Sequence, residues 1–125
     1  MKFLVVDDSL TMRRIIINAL QRIGYADTVE ASDGQDALAK FDPAVGFIIT
    51  DWNMPNMSGL EFARAVRATP EGGSVPILMV TTRGAREDII AAVEAGVNNY
   101  VLKPFTPLVL KEKIDRLLSG TGAAA

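Results

Sequence analysis

Three aspartates, a lysine and a threonine stand where short apolar runs end. Asp51 follows Gly46-Phe47-Ile48-Ile49-Thr50, Asp7 and Asp8 follow Lys2-Phe3-Leu4-Val5-Val6, and Lys103 follows Asn99-Tyr100-Val101-Leu102. If those runs are neighbouring parallel strands, three carboxylates and one ammonium meet at one edge of a sheet, where open α/β proteins place their ligands. Crowded carboxylates repel, so they either share protons or hold a divalent cation. Oxygen donors favour Mg2+, with Mn2+ the alternative, and Mg2+ keeps waters that a phosphoryl oxygen can replace. An aspartate can itself attack phosphorus to form an acyl phosphate. The cation, Lys103 and the hydroxyl of Thr81, at the end of the fourth run, would then surround the transferred oxygens.

The composition closes off other chemistries. The 125 residues contain no Cys and no His, which excludes thiolate nucleophiles, disulfides, imidazole bases and the common zinc sites. Lys and Arg number 13 against 15 Asp and Glu, a net charge of -2 that offers no general attraction to nucleic acid or anionic lipid. No stretch approaches the roughly 20 apolar residues of a membrane span. Asp7-Asp8 also interrupts the first apolar run too early for a secretory leader. The reading is a cytoplasmic protein with no nucleic-acid or membrane partner.

The elements that must position these groups follow from periodicity. Five apolar runs, at 2–6, 28–31, 46–50, 75–80 and 99–102, alternate with helical patterns, which argues for βα units and a parallel sheet. Glu30 interrupts the second run, so that strand is placed at an edge. Met12, Ile15, Ile16, Ala19, Leu20 and Ile23 form the apolar stripe of a first helix, stopped by Gly24. A second helix is expected over 35–41, ended by Asp42-Pro43. Ser58-Gly59-Leu60-Glu61 has capping-box spacing and opens a third through 66. A fourth is expected over 87–95 with Ile89, Ala92 and Val93 inward and Gly96 as its stop. Thr106-Pro107 opens a fifth whose buried face carries Leu110, Ile114 and Leu117.

Right-handed crossovers leave few windings for five such units. The flavodoxin-like three-layer α/β fold, with a five-stranded parallel sheet in the order 2-1-3-4-5 and five helices, is the commonest at this size. It sets strand 1 beside strand 3. One domain over 1–118 and a patternless, flexible tail over 119–125 account for the chain.

Each residue also has an ordinary reading. Asp7-Asp8 could cap a helix, Thr81-Thr82 could reflect β-propensity, Lys103 could be a solvated turn residue, and Asp51-Trp52-Asn53-Met54-Pro55 could be a plain loop. Their joint placement at four strand ends favours function.

On these residues the chain resembles the receiver domains of bacterial two-component response regulators, and Asp51-Trp52-Asn53-Met54-Pro55-Asn56-Met57 points to the chemotaxis branch. Supporting stretches are Lys2-Phe3-Leu4-Val5-Val6-Asp7-Asp8, Leu78-Met79-Val80-Thr81 and Tyr100-Val101-Leu102-Lys103-Pro104-Phe105-Thr106. The resemblance implies that Asp51 accepts a phosphoryl group from a histidine kinase of the CheA type. It implies Mg2+ on Asp8, Asp51 and the Asn53 carbonyl, with Asp7 acting through water. It implies that Lys103 pairs with the phosphoryl group before a cis Pro104, and that Thr81 turns inward to it. Tyr100 would move from an exposed to a buried position. Arg86, Tyr100 and Lys113 would lie on the face that reads the signal, where a flagellar motor switch protein docks, with a phosphatase as a further partner and the protein itself a monomer. A resident enzyme is not implied beyond self-catalysed phosphotransfer and dephosphorylation.

Two positions depart from the familiar pattern, Arg83 for an acidic residue and Ser9 for an aromatic one. Arg83 is expected near the mouth, where it would alter access of hydrolytic water. The competing readings are a receiver of a non-flagellar pathway, a phosphorelay shuttle, and an Mg2+-dependent aspartyl-phosphate phosphatase. The last usually carries Asp-x-Asp and a cap domain, for which no residues remain.

Overall fold

The computed structural model describes residues 1–119. The strands are β1 (Lys2–Val6), β2 (Thr28–Ala31), β3 (Val45–Thr50), β4 (Ile77–Thr81) and β5 (Asn99–Leu102). They pair in parallel in the order β2-β1-β3-β4-β5, as the flavodoxin-like winding requires. The helices are α1 (Leu10–Arg22), α2 (Gly34–Lys40), α3 (Gly59–Arg67), α4 (Arg86–Glu94) and α5 (Pro107–Leu118). The expected tail falls mostly on residues 120–125, outside the described residues.

Alternation along each strand builds two cores, because successive side chains point to opposite faces. Phe3, Val5, Phe47, Ile49, Leu78, Val80 and Val101 pack under α1 and α5, against Ile16, Leu20, Leu110 and Ile114. Leu4, Val6, Ile48, Ile77 and Met79 pack on the other face against Ala37, Phe62, Val66 and Ala92 of the remaining helices. The central strands are apolar on both faces because helices cover both.

Local chemistry sets the helix ends. Ser9, Asp33, Ser58 and Thr106 each accept a hydrogen bond from a backbone N–H of the first turn, and Ser58 and Glu61 form the reciprocal capping box. Gly24 and Gly96, both at φ 101°, follow α1 and α4 in the left-handed region. Three expectations need correction. Ile17, not Ile15, joins the buried stripe of α1, and Ile15 is 47% exposed. The helix crosses the sheet on its 16-17-20 face, so the stripe runs one residue to the side of that drawn from spacing. In α4 only Ala92 is buried, while Ile89 and Val93 are exposed. That helix lies over the thin end of the sheet, where the edge strand β5 offers little to pack against. β4 starts at Ile77 rather than residue 75, two positions later, just after Pro76, which has no N–H for the ladder.

Candidate functional site

The ladder continues one residue beyond each strand, and this fixes the backbone of the candidate residues. Asp7 N–H donates to the Ala31 carbonyl at 3.1 Å, Asp51 N–H to Val6 at 2.9 Å, and Lys103 N–H to Thr81 at 2.8 Å. Because β1 and β3 are neighbours with opposite winding on either side, Asp7 and Asp51 face one crevice. The Lys103–Pro104 bond is cis.

Lys103 Nζ reaches both acids, donating to Asp7 Oδ2 at 2.9 Å and lying 3.3 Å from Asp51 Oδ2. Burial disfavours its ammonium, but the hydrogen bond to Asp7 and the charge of Asp51 prevail and raise its pKa. Asp51 is nearly buried, and loss of hydration raises its pKa; Lys103 opposes that rise and the Asp7 charge adds to it. Its Oδ1 accepts from Trp52 N–H at 2.7 Å, and its carbonyl accepts from Thr50 Oγ1 at 2.9 Å. Gly59 roofs that carbonyl so tightly that a Cβ there would sit 1.8 Å from the oxygen. Spacing marked Gly59 only as part of a capping box; its tertiary role as the roof of Asp51 has no local signature.

Asp7 Oδ1 accepts from Ser9 N–H at 2.9 Å, and Ser9, not Asp7 or Asp8, caps α1. The capping reading of the aspartate pair is thereby replaced. One carboxylate oxygen each from Asp7, Asp8 and Asp51 lie within 4.8 Å of one another. Three carboxylates beside one ammonium leave two negative charges in a mostly buried crevice, and the donors are all oxygen. That set fits a hard divalent cation.

Thr81 is fully buried, and its Oγ1 accepts from Arg83 N–H at 3.2 Å. Arg83 lies across the mouth, its guanidinium 4.7 Å from the Trp52 ring centre, Nε on Asn53 Oδ1 at 3.2 Å and Nη1 3.4 Å from Asp88. Tyr100 is in the inward position, its hydroxyl buried and without a hydrogen-bond partner among the described residues. Burial raises its pKa, with Asp88 adding to the shift and Arg83 opposing it. Lys113 Nζ is 3.4 Å from Asn99 Oδ1, and Arg86 is exposed at the start of α4. Tyr100, Arg86 and Lys113 therefore lie on the α4–β5–α5 side, apart from the carboxylates.

Sequence reasoning missed the contacts that steady the loop after Asp51. Asp33 Oδ2 accepts from Asn56 Nδ2 at 2.7 Å, and Gly34 N–H donates to the Met57 carbonyl at 3.0 Å. Asn56, at φ 67°, takes a left-handed turn that asparagine tolerates better than most residues. An Asn after Pro55 was the available signal.

These features define an open α/β protein with an acidic, lysine-paired carboxylate pocket at its switch point. The pattern of the response regulator receiver domain matches residues 3–115, and the chain belongs to that family. It is 54% identical to a Campylobacter jejuni chemotaxis protein CheY homolog over 99% of both chains. It is 53% identical to Helicobacter pylori chemotaxis protein CheY1 over 94% of this chain and 97% of that one. The solved structure of Vibrio cholerae CheY4 is similar at a TM-score of 0.86 with 40% identity, covering 92% of this chain and 96% of that one. CheY is itself a standing example of the 2-1-3-4-5 order. No helix among the described residues is long and apolar enough to cross a membrane.

Proposed function

We propose that this protein is a phosphorylation-activated chemotaxis response regulator in which Asp51 is the phosphoacceptor. The observation that carries this reading is the convergence of Asp51, Asp7 and Lys103 within hydrogen-bond reach at the β1–β3 switch point. A carboxylate oxygen of Asp51 attacks the phosphorus of a kinase phosphohistidine or a small phosphodonor. The P–O bond forms as the P–N bond of the phosphohistidine breaks, and the leaving imidazole takes up a proton. Water later cleaves the acyl phosphate, returning the carboxylate and inorganic phosphate.

Asp7, Asp8, Asp51 and the Asn53 carbonyl would hold Mg2+, which when bound neutralises charge on the phosphoryl oxygens. Lys103 moves from Asp51 to the phosphoryl group, exchanging one anion for another without losing its hydrogen bond to Asp7. Thr81 releases the Arg83 N–H and turns its hydroxyl to the same group. The buried Tyr100 hydroxyl lies on the path by which that change reaches the α4–β5–α5 face. Exposed Ile89, Ile90, Val93, Leu102 and Leu108 give that face an apolar surface for a partner. The near-full-length likeness to chemotaxis proteins makes the flagellar motor switch the preferred output, a CheA-type kinase the donor, and the cytoplasm the setting.

The test is a titration with beryllofluoride and Mg2+ followed by Trp52 emission. A saturable, Mg2+-dependent change in the parent and none in Asp51→Asn is expected. A silent parent overturns the reading. Binding of the beryllofluoride-loaded protein to a motor-switch peptide, absent without loading, then tests the output.

A further inference from the structure

We infer that Arg13 and Glu30 form a positioning pair that fixes the Asp7–Asp8 segment and thereby sets the affinity of the acidic pocket for a divalent cation. The inference rests on the proposed reading of that pocket as a cation site.

Glu30 is the residue that fits its strand least well, a carboxylate inside β2 where apolar or β-branched residues are usual. Its partner explains it. Arg13, one turn into α1, donates from Nε to Glu30 Oε1 at 3.1 Å and from Nη1 to the Asp7 carbonyl at 2.6 Å, and its side chain is only 14% exposed. One guanidinium thus joins an edge strand to the peptide between two of the three pocket aspartates.

The Asp7 carbonyl is the first acceptor beyond the β1 ladder. Val6 still accepts from Asp51 N–H and Asp7 N–H still reaches Ala31, whereas the Asp7 carbonyl takes its hydrogen bond from a side chain. The plane of that peptide decides where Asp8 projects. Asp8 is exposed, so its carboxylate depends on its backbone for direction. Arg13 supplies that direction with the forked geometry that a lysine lacks.

Glu30 does a second job. An unpaired guanidinium beside three carboxylates would compete with a divalent cation for their charge, and Glu30 holds that charge on the far side. Glu30 is itself held, its carbonyl accepting from Lys40 Nζ at 2.7 Å, whereas Arg14, 63% exposed and 3.6 Å from its other oxygen, makes only a solvent-screened ion pair with it.

The experiment is a calorimetric titration of the full chain with MgCl2, paired with urea unfolding without Mg2+. Arg13→Lys keeps the charge and loses the fork; it is expected to weaken Mg2+ binding about 10-fold, the low end for loss of a partner that orients a metal ligand. Glu30→Gln is expected to weaken it in the same direction, and the double variant no further than Arg13→Lys, because the two act as one unit. Arg14→Lys, which also faces Glu30 but touches no pocket residue, is expected to stay within about 2-fold of the parent. The inference is overturned if Arg13→Lys binds Mg2+ like the parent, or if Arg14→Lys weakens binding as much. Should Arg13→Lys lose cooperative unfolding, Glu30→Gln decides alone, parent-like affinity refuting the pair. A parent that does not bind Mg2+ overturns the cation reading itself, and the pair's role with it.

Discussion

Two half-buried cations sit at opposite ends of the strands of one sheet and are held by different means. Lys103, beyond the C-terminal end of β5, is held by the charged oxygens of Asp7 and Asp51. Arg67, at the end of α3, is held by neutral ones. Its guanidinium donates to the carbonyls of Gly72 at 2.8 Å, Val75 at 2.6 Å and Gly96 at 3.0 and 2.8 Å, and to Asn98 Oδ1 at 2.7 Å. The consequences for proton affinity are opposite: its two anions raise the pKa of Lys103, whereas burial lowers that of Arg67. Charged partners can be traded for a phosphoryl group or shared with a cation. Carbonyls of two different loops cannot be traded, so Arg67 is a permanent stitch where Lys103 is a movable one.

The largest expected effect breaks the comparison directly. Arg67→Met leaves several buried carbonyls unpaired and is expected to cost about 3 kcal/mol or more in urea unfolding, with no recovery in millimolar Mg2+. Lys103→Met also destabilises, because two buried carboxylates then face each other, but millimolar Mg2+ is expected to restore much of the loss by binding the folded state. Equal responses to Mg2+ would erase the distinction between the two cations.

The next effect concerns what Lys103 leaves uncompensated. The native pKa of Asp51 lies above its unfolded value, so between the two the native state binds the extra proton and stability falls as pH rises. Asp51→Asn is therefore expected to be more stable than the parent at pH 7 without Mg2+, by about 1 kcal/mol, the gap closing as pH falls towards the ordinary carboxylate range. A parent more stable than Asp51→Asn at pH 7 would mean that Lys103 compensates the charge in full.

Tyr100 gives a third case, a buried hydroxyl with no hydrogen-bond partner among the described residues. Tyr100→Phe is expected to raise stability by about 1 kcal/mol by thermal or urea unfolding, since an orphaned hydroxyl loses water without gaining a bond. The smallest effect belongs to Arg83, whose contacts are exposed. Arg83→Ala is expected to cost at most about 1 kcal/mol while shifting Trp52 emission, because the cation leaves the ring. Comparable dephosphorylation rates in the parent and Arg83→Glu would remove any role for that cover in admitting water.

Much of the architecture was legible because it is local. Strand and helix types follow from periods of two and 3.6, caps from Ser58 and Thr106, and the winding from handed crossovers, whereas the cap of α1 fell on Ser9 and not on the aspartate pair. The candidate residues Asp7, Asp8, Asp51, Thr81 and Lys103 were legible because each directly follows or ends an apolar run. The inward face of α4 was misread at Ile89 and Val93, since spacing marks an apolar stripe but not whether a neighbouring surface exists to cover it. Beyond the meeting of groups at the strand ends, contacts between residues far apart in the chain were not legible. Arg67 with Asn98, Arg13 with Glu30 and the roof of Gly59 over Asp51 depend on which elements become neighbours.

The amino-acid sequence alone therefore determined the elements, their order and the kinds of group at the strand ends, because propensity, capping and handedness act over a few residues. Only the tertiary structure decided that Lys103 bridges Asp7 and Asp51, that Asp51 is raised in pKa, and that Arg67 is held by carbonyl and amide oxygens. Those outcomes depend on burial and on distances of a few ångströms, which exist only once the sheet has brought distant segments together.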